Sequence, residues 1–434
     1  MPEISGHIVN EGRIFYGSVK IDGDRIVEIR ELPPLRGGSQ SSILNSQCSI
    51  PQDSYILPGV IDEHVHFREP GLTEKGDIES ESRAAAAGGV TTVLDMPNTV
   101  PQTTSIAALT DKLALAKEKC AINYGAFIGA TNDNLGELRK VDSALVPGIK
   151  LFMGASTGNM LVDGDEALND IFALAAERGM PIIAHCEDSA MIERNARKLL
   201  NNQASNNGID LHSLIRDEEV CLSSTRKAIA LAEKHGTRLM VAHVSTAAEL
   251  DEIARHADLV KAEGCVAYLT FSNQDYARLG ARIKCNPAIK HESNRLALRR
   301  GLTNGMVHTI ATDHAPHLLS SKEGGVQKAA SGMPGVQFSL VMMLQMVDEG
   351  MLTMQQVVQL MCHNPSSYFD VKQRGFLRPG YKADLTIVSH LDKAHTISDA
   401  EVLSKCGWTP YDGLQTKWQV ERTICNGKTV YDRA

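Results

Sequence analysis

The sequence predicts an α/β fold, a closed (β/α)8 barrel with a small β-sandwich domain built from both chain termini. Three features predict it. Apolar strand-like runs alternate with helical periods from about residue 56 onward. Both ends of the chain read as strands with no helices between them. Ligand-type side chains recur in or just past the apolar runs, at the strand ends where a parallel barrel gathers its functional groups. The expected division is 1–55 and 366–434 for the two parts of the β-domain, and 56–365 for the barrel. A doubly wound open sheet would give the same alternation, so the pattern alone leaves it open.

Taken in order, Ile14 to Val19 and Val19 to Ile29 read as short strands joined at the Asp22-Gly23 turn. Gly37, Gly38 and the serines of Ser39–Ser42 form a loose connection. Ile56–His66 reads as a buried strand running into a loop. A helix from about Asp77 to Ala87 stops at Gly88-Gly89. Strand Val90–Met96 follows. Helix Ile106–Lys119 precedes strand Ile122–Phe127, and Val146–Met153 is a strand. Helix Glu166–Arg178 precedes strand Pro181–His185, and helix Glu218–His235 precedes strand Arg238–His243. Helix Ala247–His256 precedes strand Leu259–Ala262, and helix Asn294–Asn304 precedes strand Val307–Thr312. Beyond Asn364-Pro365, Ala383–Val388 and Thr423–Val430 read as strands, the second stretch turning at Asn426-Gly427.

Composition narrows the function. The chain has 434 residues, 43% hydrophobic and 22% charged, which is ordinary globular composition. A net charge of −8 disfavours a nucleic-acid partner, which would call for a basic face. No apolar run reaches the ~18 residues of a membrane span, and MPEISGHIVNEGRIF carries no signal-peptide core. Nine cysteines without a CxxC pair suit reduced thiols. The expectation is a cytoplasmic protein acting on a small molecule, with no nucleic acid and no membrane.

The chemistry starts at His64 and His66, which end the apolar run Ile56–Ile61. Residues i and i+2 of an extended chain point the same way, so two imidazoles aim into one place. Converging imidazoles suit a borderline ion such as zinc. Lys150 lies inside VPGIKLFM, His185 ends PIIAH, His243 ends LMVAH, and Asp313 follows TIAT. A lysine between Ile149 and Leu151 is costly to bury unless something answers its charge. Arg68 follows His66 by two and so aims at the same place, where a guanidinium suits a carboxylate.

These residues carry a resemblance. The run His64-Val65-His66-Phe67-Arg68-Glu69-Pro70-Gly71, with Asp95-Met96-Pro97-Asn98-Thr99, Lys284-Cys285-Asn286-Pro287-Ala288, Ala311–His317 and Arg374–Leu385, resembles the amidohydrolase superfamily and, within it, the dihydroorotases. The resemblance implies two zinc ions per subunit. His64, His66 and Asp313 would hold one, His185 and His243 the other, and Lys150, carboxylated by CO2, would bridge them together with a hydroxide. It implies Asp313 as the catalytic acid–base and Arg68, Asn98, Asn286 and His317 as substrate contacts. It also implies a homodimer and the reversible interconversion of N-carbamoyl-L-aspartate and (S)-dihydroorotate in de novo pyrimidine biosynthesis. The alternatives are a related cyclic amidase (a hydantoinase, dihydropyrimidinase or allantoinase) and a non-catalytic dihydroorotase-like scaffold. Two stretches depart from the family pattern: Cys265–Leu269, where family members often have Thr-Pro-His-His-Leu, and Ser331–Gly335. Leu318–Gly332, with Gly324-Gly325, is the segment expected to move over the site.

Overall fold

Strands with one covered face alternate buried and exposed side chains, and the N-terminal strands do so. The computed structural model describes residues 1–33, 54–154, 160–201 and 208–433, so the connection expected around Gly37–Ser42 lies outside the described residues. β1 (Glu3–Asn10), β2 (Arg13–Asp22) and β3 (Arg25–Glu31) form an antiparallel meander. β4 (Tyr55–Pro58) pairs in parallel with β1.

The run expected as one strand over Ile56–His66 is two strands. β4 belongs to the terminal sheet and β5 (Val60–Val65) to the barrel, with Gly59 between them. An added Cβ at Gly59 would meet Thr91 Oγ1 at 2.1 Å, so only glycine lets the chain cross there. The barrel strands then follow: β6 (Val90–Asp95), β7 (Asn123–Ala126), β8 (Ile128–Gly129), β9 (Ile149–Phe152), β10 (Ile182–His185), β11 (Leu239–Val241), β12 (Val260–Cys265) and β13 (Val307–Ala311). Every pairing among them is parallel. The strand expected over Ile122–Phe127 breaks at Phe127. β7 pairs with β6 and β8 with β9, while the Phe127 N–H still donates to Asp95 O at 3.0 Å. A bridge between Val65 and His314, with the His66 N–H donating to His314 O at 2.7 Å, joins the first strand to the end of the last. This is the closed barrel rather than the open sheet.

Helices pack outside. Ile106–Lys119 and Glu218–His235 have the bounds the sequence predicts, each opened by a capping side chain, Ser105 or Asp217. The second ends at Gly236 in the left-handed conformation. Helix Ser339–Asp348 left no sign in the sequence, because its nearly continuous burial leaves no polar face to mark a period. Among the described residues no helix is long and apolar enough to cross a membrane.

β14 (Leu385–Thr396), β15 (Gln415–Cys425) and β16 (Lys428–Asp432) complete the terminal sheet, in the order β16-β15-β14-β4-β1-β2-β3. Its far ends meet, since Gly427 in the β15–β16 turn lies against Gly23 in the β2–β3 turn. Ile4, Ile26, Ile56, Leu385 and Ile424 fill the space enclosed, a core separate from the barrel's. The sheet thus folds into the expected small sandwich. Inside the barrel, Leu94, Phe127, Ile183 and Met240 pack with Tyr368 and Phe369. Ile183 precedes His185 by two on β10, so this apolar floor lies on the N-terminal side of the polar groups.

Candidate metal centre

A strand's last inward-facing residue looks into the barrel mouth, and five strands place a ligand-type side chain there. His64 is on β5 with His66 just past it, Lys150 is on β9 and His185 ends β10. His243 and Asp313 come just after β11 and β13. All six line one cleft, together with Arg68, Asn98 and Asn286. The ligand atoms of His64, His66 and Asp313 lie within 4.8 Å of one another. Asp313 Oδ1 is 3.0 Å from His66 Nε2 and 3.4 Å from His64 Nε2. On the other side His185 Nδ1 is 3.0 Å from His243 Nε2. Arg68, His243 and Asp313 take positive φ values of 68°, 38° and 48°, a conformation that costs roughly 1–3 kcal/mol per residue and recurs at functional sites.

The charge states follow from burial. Desolvation pushes His64 and His243 well below the usual imidazole range and lowers His66, which keeps them neutral. Burial works to raise the Asp313 carboxyl, but the imidazoles of His64, His66 and His243 outweigh it and hold the group far below its ordinary value. Desolvation lowers Lys150 to about 8, and its Nζ has no hydrogen-bond partner among the described residues.

The rest of the cleft is polar. Arg68 is buried, its Nε donating to Pro316 O at 3.0 Å and its Nη2 to His317 Nε2 at 3.1 Å. His317 therefore stands against Arg68, beside Gly332. Asn98 Oδ1 lies 2.7 Å from His66 Nδ1, which fixes the amide so that its NH2 group is free to face the cleft. Asn286 Oδ1 is buried with no hydrogen-bond partner among the described residues. Ser331 and Gly332 also line the cleft. The departing segment Cys265–Leu269 runs from the end of β12 into a short helix, and Tyr268 donates to Pro287 O at 2.7 Å.

Residues 55–430 match the amidohydrolase family. The chain belongs to the amidohydrolase family. It is 32% identical to a dihydroorotase of Methanosarcina acetivorans over 99% of this chain and 92% of that relative. It is 30% identical to an L-hydantoinase of Paenarthrobacter aurescens over 87% of this chain and 84% of that one. The solved L-hydantoinase from Arthrobacter aurescens superposes with a TM-score of 0.91 at 28% identity, covering 99% of this chain and 95% of that structure.

The amidohydrolase cleft also uses residues that sequence reasoning missed. Glu263 Oε1 lies 2.8 Å from His64 Nδ1 and accepts the His243 backbone N–H at 2.9 Å. Glu187 Oε2 lies 2.9 Å from His185 Nε2 and is itself paired with Arg216. Burial would raise Glu187, yet Arg216 and His185 bring it to about 2. These carboxylates fix which imidazole nitrogen faces the cleft, as partners of metal-binding histidines do. The signal was present in sequence: Glu263 breaks the buried run VKAEGC, and Glu187 follows His185 by two. Four buried imidazoles, an ionised carboxylate and a buried lysine whose Nζ has no hydrogen-bond partner among the described residues form a donor set that fits a pair of divalent ions.

Proposed function

We propose that this amidohydrolase is a two-zinc dihydroorotase. Arg68 carries the reading: a buried guanidinium opens into the cleft that holds the convergent imidazoles. Hydantoin and allantoin lack the exocyclic carboxylate of dihydroorotate, so they leave that buried cation without an anionic partner.

His64, His66 and Asp313 would hold one ion, His185 and His243 the other. Lys150 would lose one proton to become a free amine, bond through Nζ to the carbon of CO2 with release of a second proton, and bridge both as a carbamate. Carboxylation replaces a buried ammonium that has no hydrogen-bond partner among the described residues with anionic oxygens, and desolvation of the amine favours the neutral form it needs. When bound, the ions would supply Lewis acidity and make a water nucleophilic near neutral pH. Asp313 accepts the proton of the attacking water and delivers it to the departing ring nitrogen, a base that becomes an acid. Arg68 pairs with the substrate carboxylate, and the Asn98 amide donates beside it. Asn286 faces the ring. His317, accepting from Arg68, aims the guanidinium. Run in reverse, the same groups close N-carbamoyl-L-aspartate into dihydroorotate.

The test compares turnover of dihydroorotate, hydantoin and allantoin by the wild-type chain and Arg68→Met. Dihydroorotate is the expected substrate. Arg68→Met should lose about 2–3 kcal/mol of charge-assisted binding, roughly 30- to 160-fold in kcat/KM, with zinc content unchanged. Faster turnover of hydantoin by the wild type, or zinc lost from the variant, would refute the reading.

A further inference from the structure

Lys322 and Lys284 lie outside the metal cluster and are buried, and among the described residues neither has a carboxylate within ion-pair distance. Lys322 Nζ donates to Lys284 O at 3.0 Å, to Ala330 O at 2.7 Å and to Gly332 O at 2.7 Å. Lys284 Nζ reaches the other way, to Val326 O at 2.7 Å and to Ala329 O. Lys284 caps two carbonyls of the 318–332 segment, while Lys322, on that segment, caps Lys284 O and two carbonyls of its own segment.

Those carbonyls belong to the two stretches that face the substrate side. One is Lys284–Pro287, which presents Asn286. His212 Nε2 caps its Cys285 O at 2.8 Å, and Tyr268 caps its Pro287 O. The other ends in Ser331 and Gly332. The Gly332 N–H also donates to Lys284 O, at 2.8 Å. At Gly332 φ is +126°, and an added Cβ would meet Ala315 O at 2.8 Å, so that turn leaves no slack. The end of the segment that the sequence reads as a moving cover is thus hydrogen-bonded to the Asn286 stretch.

We propose that Lys322 is a positioning residue that locks the Asn286 wall to the Ser331–Gly332 wall and so sets the width of the substrate half of the cleft. The inference rests on the dihydroorotase reading for the identity of that substrate. An ammonium is suited to the task because only it offers three donors from one atom. Burying it without a carboxylate is expensive, and burial lowers Lys322 to about 7. A chain that needed only a packed loop would put an apolar side chain there.

The test uses the full-length, zinc-loaded chain and steady-state kinetics on dihydroorotate. Lys322→Met keeps the length and removes all three donors. It should raise KM at least tenfold while kcat stays within twofold and zinc content is unchanged, because Lys322 touches neither the reacting atoms nor the metal ligands. An unaltered KM would overturn the proposal, including one that accompanies a lower kcat or a lower melting temperature, the signature of structural support alone. If the methionine variant does not fold, Lys322→Arg decides. Its planar N–H groups cannot cap three carbonyls converging on one point, so KM should rise by a smaller factor, and a wild-type KM would overturn the proposal. A wild type silent on dihydroorotate but active on hydantoin would sink the proposed substrate and move the same comparison to hydantoin. A wild type that turns over neither ring would overturn both readings.

Discussion

Glu263 is one buried carboxylate serving two candidate ligands, His64 through its ring and His243 through its backbone. Removing it frees the His64 ring to turn and leaves the His243 N–H without its acceptor. Glu263→Ala should weaken zinc binding 10- to 100-fold, read as faster metal loss to a chelator. Release at the wild-type rate would show that the ring is held some other way. At this scale the sequence was legible where chemistry and pattern conflict. Lys150 and the histidines stand out because each interrupts or ends an apolar run. Glu263 interrupts its strand as well, and Glu187 stands just past one, yet a carboxylate that binds an imidazole rather than a metal has no motif of its own. Whether His317 would face the cleft or Arg68 depends on the path of the loop that carries it, which no local spacing encodes.

Elements were legible to the extent that their ends carry caps. Ser105, Asp217 and Gly236 announce two helices to the residue. Strand β1 was not legible. Its Gly6 interrupts the alternation, and it is needed because an added Cβ would meet Ser54 O at 2.8 Å. Gly59 hid the opposite fact, a boundary inside what reads as one continuous apolar strand. That boundary is testable. Gly59→Ala forces a methyl against Thr91 and should cost about 1–3 kcal/mol, seen as a lower urea midpoint. A midpoint equal to wild type would mean that the β4–β5 crossing is not tight.

On the scale of the whole molecule, the barrel converts separation in sequence into proximity. His64 and Asp313 are 249 positions apart, and the closing bridge from Val65 to His314 brings them to 3.4 Å. The alternation of strands and helices made the barrel legible. Its closure was not, since an open sheet has the same grammar until the first strand meets the last. The terminal sandwich was legible as two β-rich ends, and the contact between Gly23 and Gly427 explains why they make one body. The account stands on six side chains meeting around a pair of metal ions with Lys150 carboxylated. Crystals grown with zinc and bicarbonate, measured at the zinc absorption edge, test this most directly. The expected map has two anomalous peaks about 3.5–4 Å apart, one beside His64, His66 and Asp313 and one beside His185 and His243, with carbamate density on Lys150 between them. A cleft with no peak, or with one peak and a bare Lys150 amine, would contradict it.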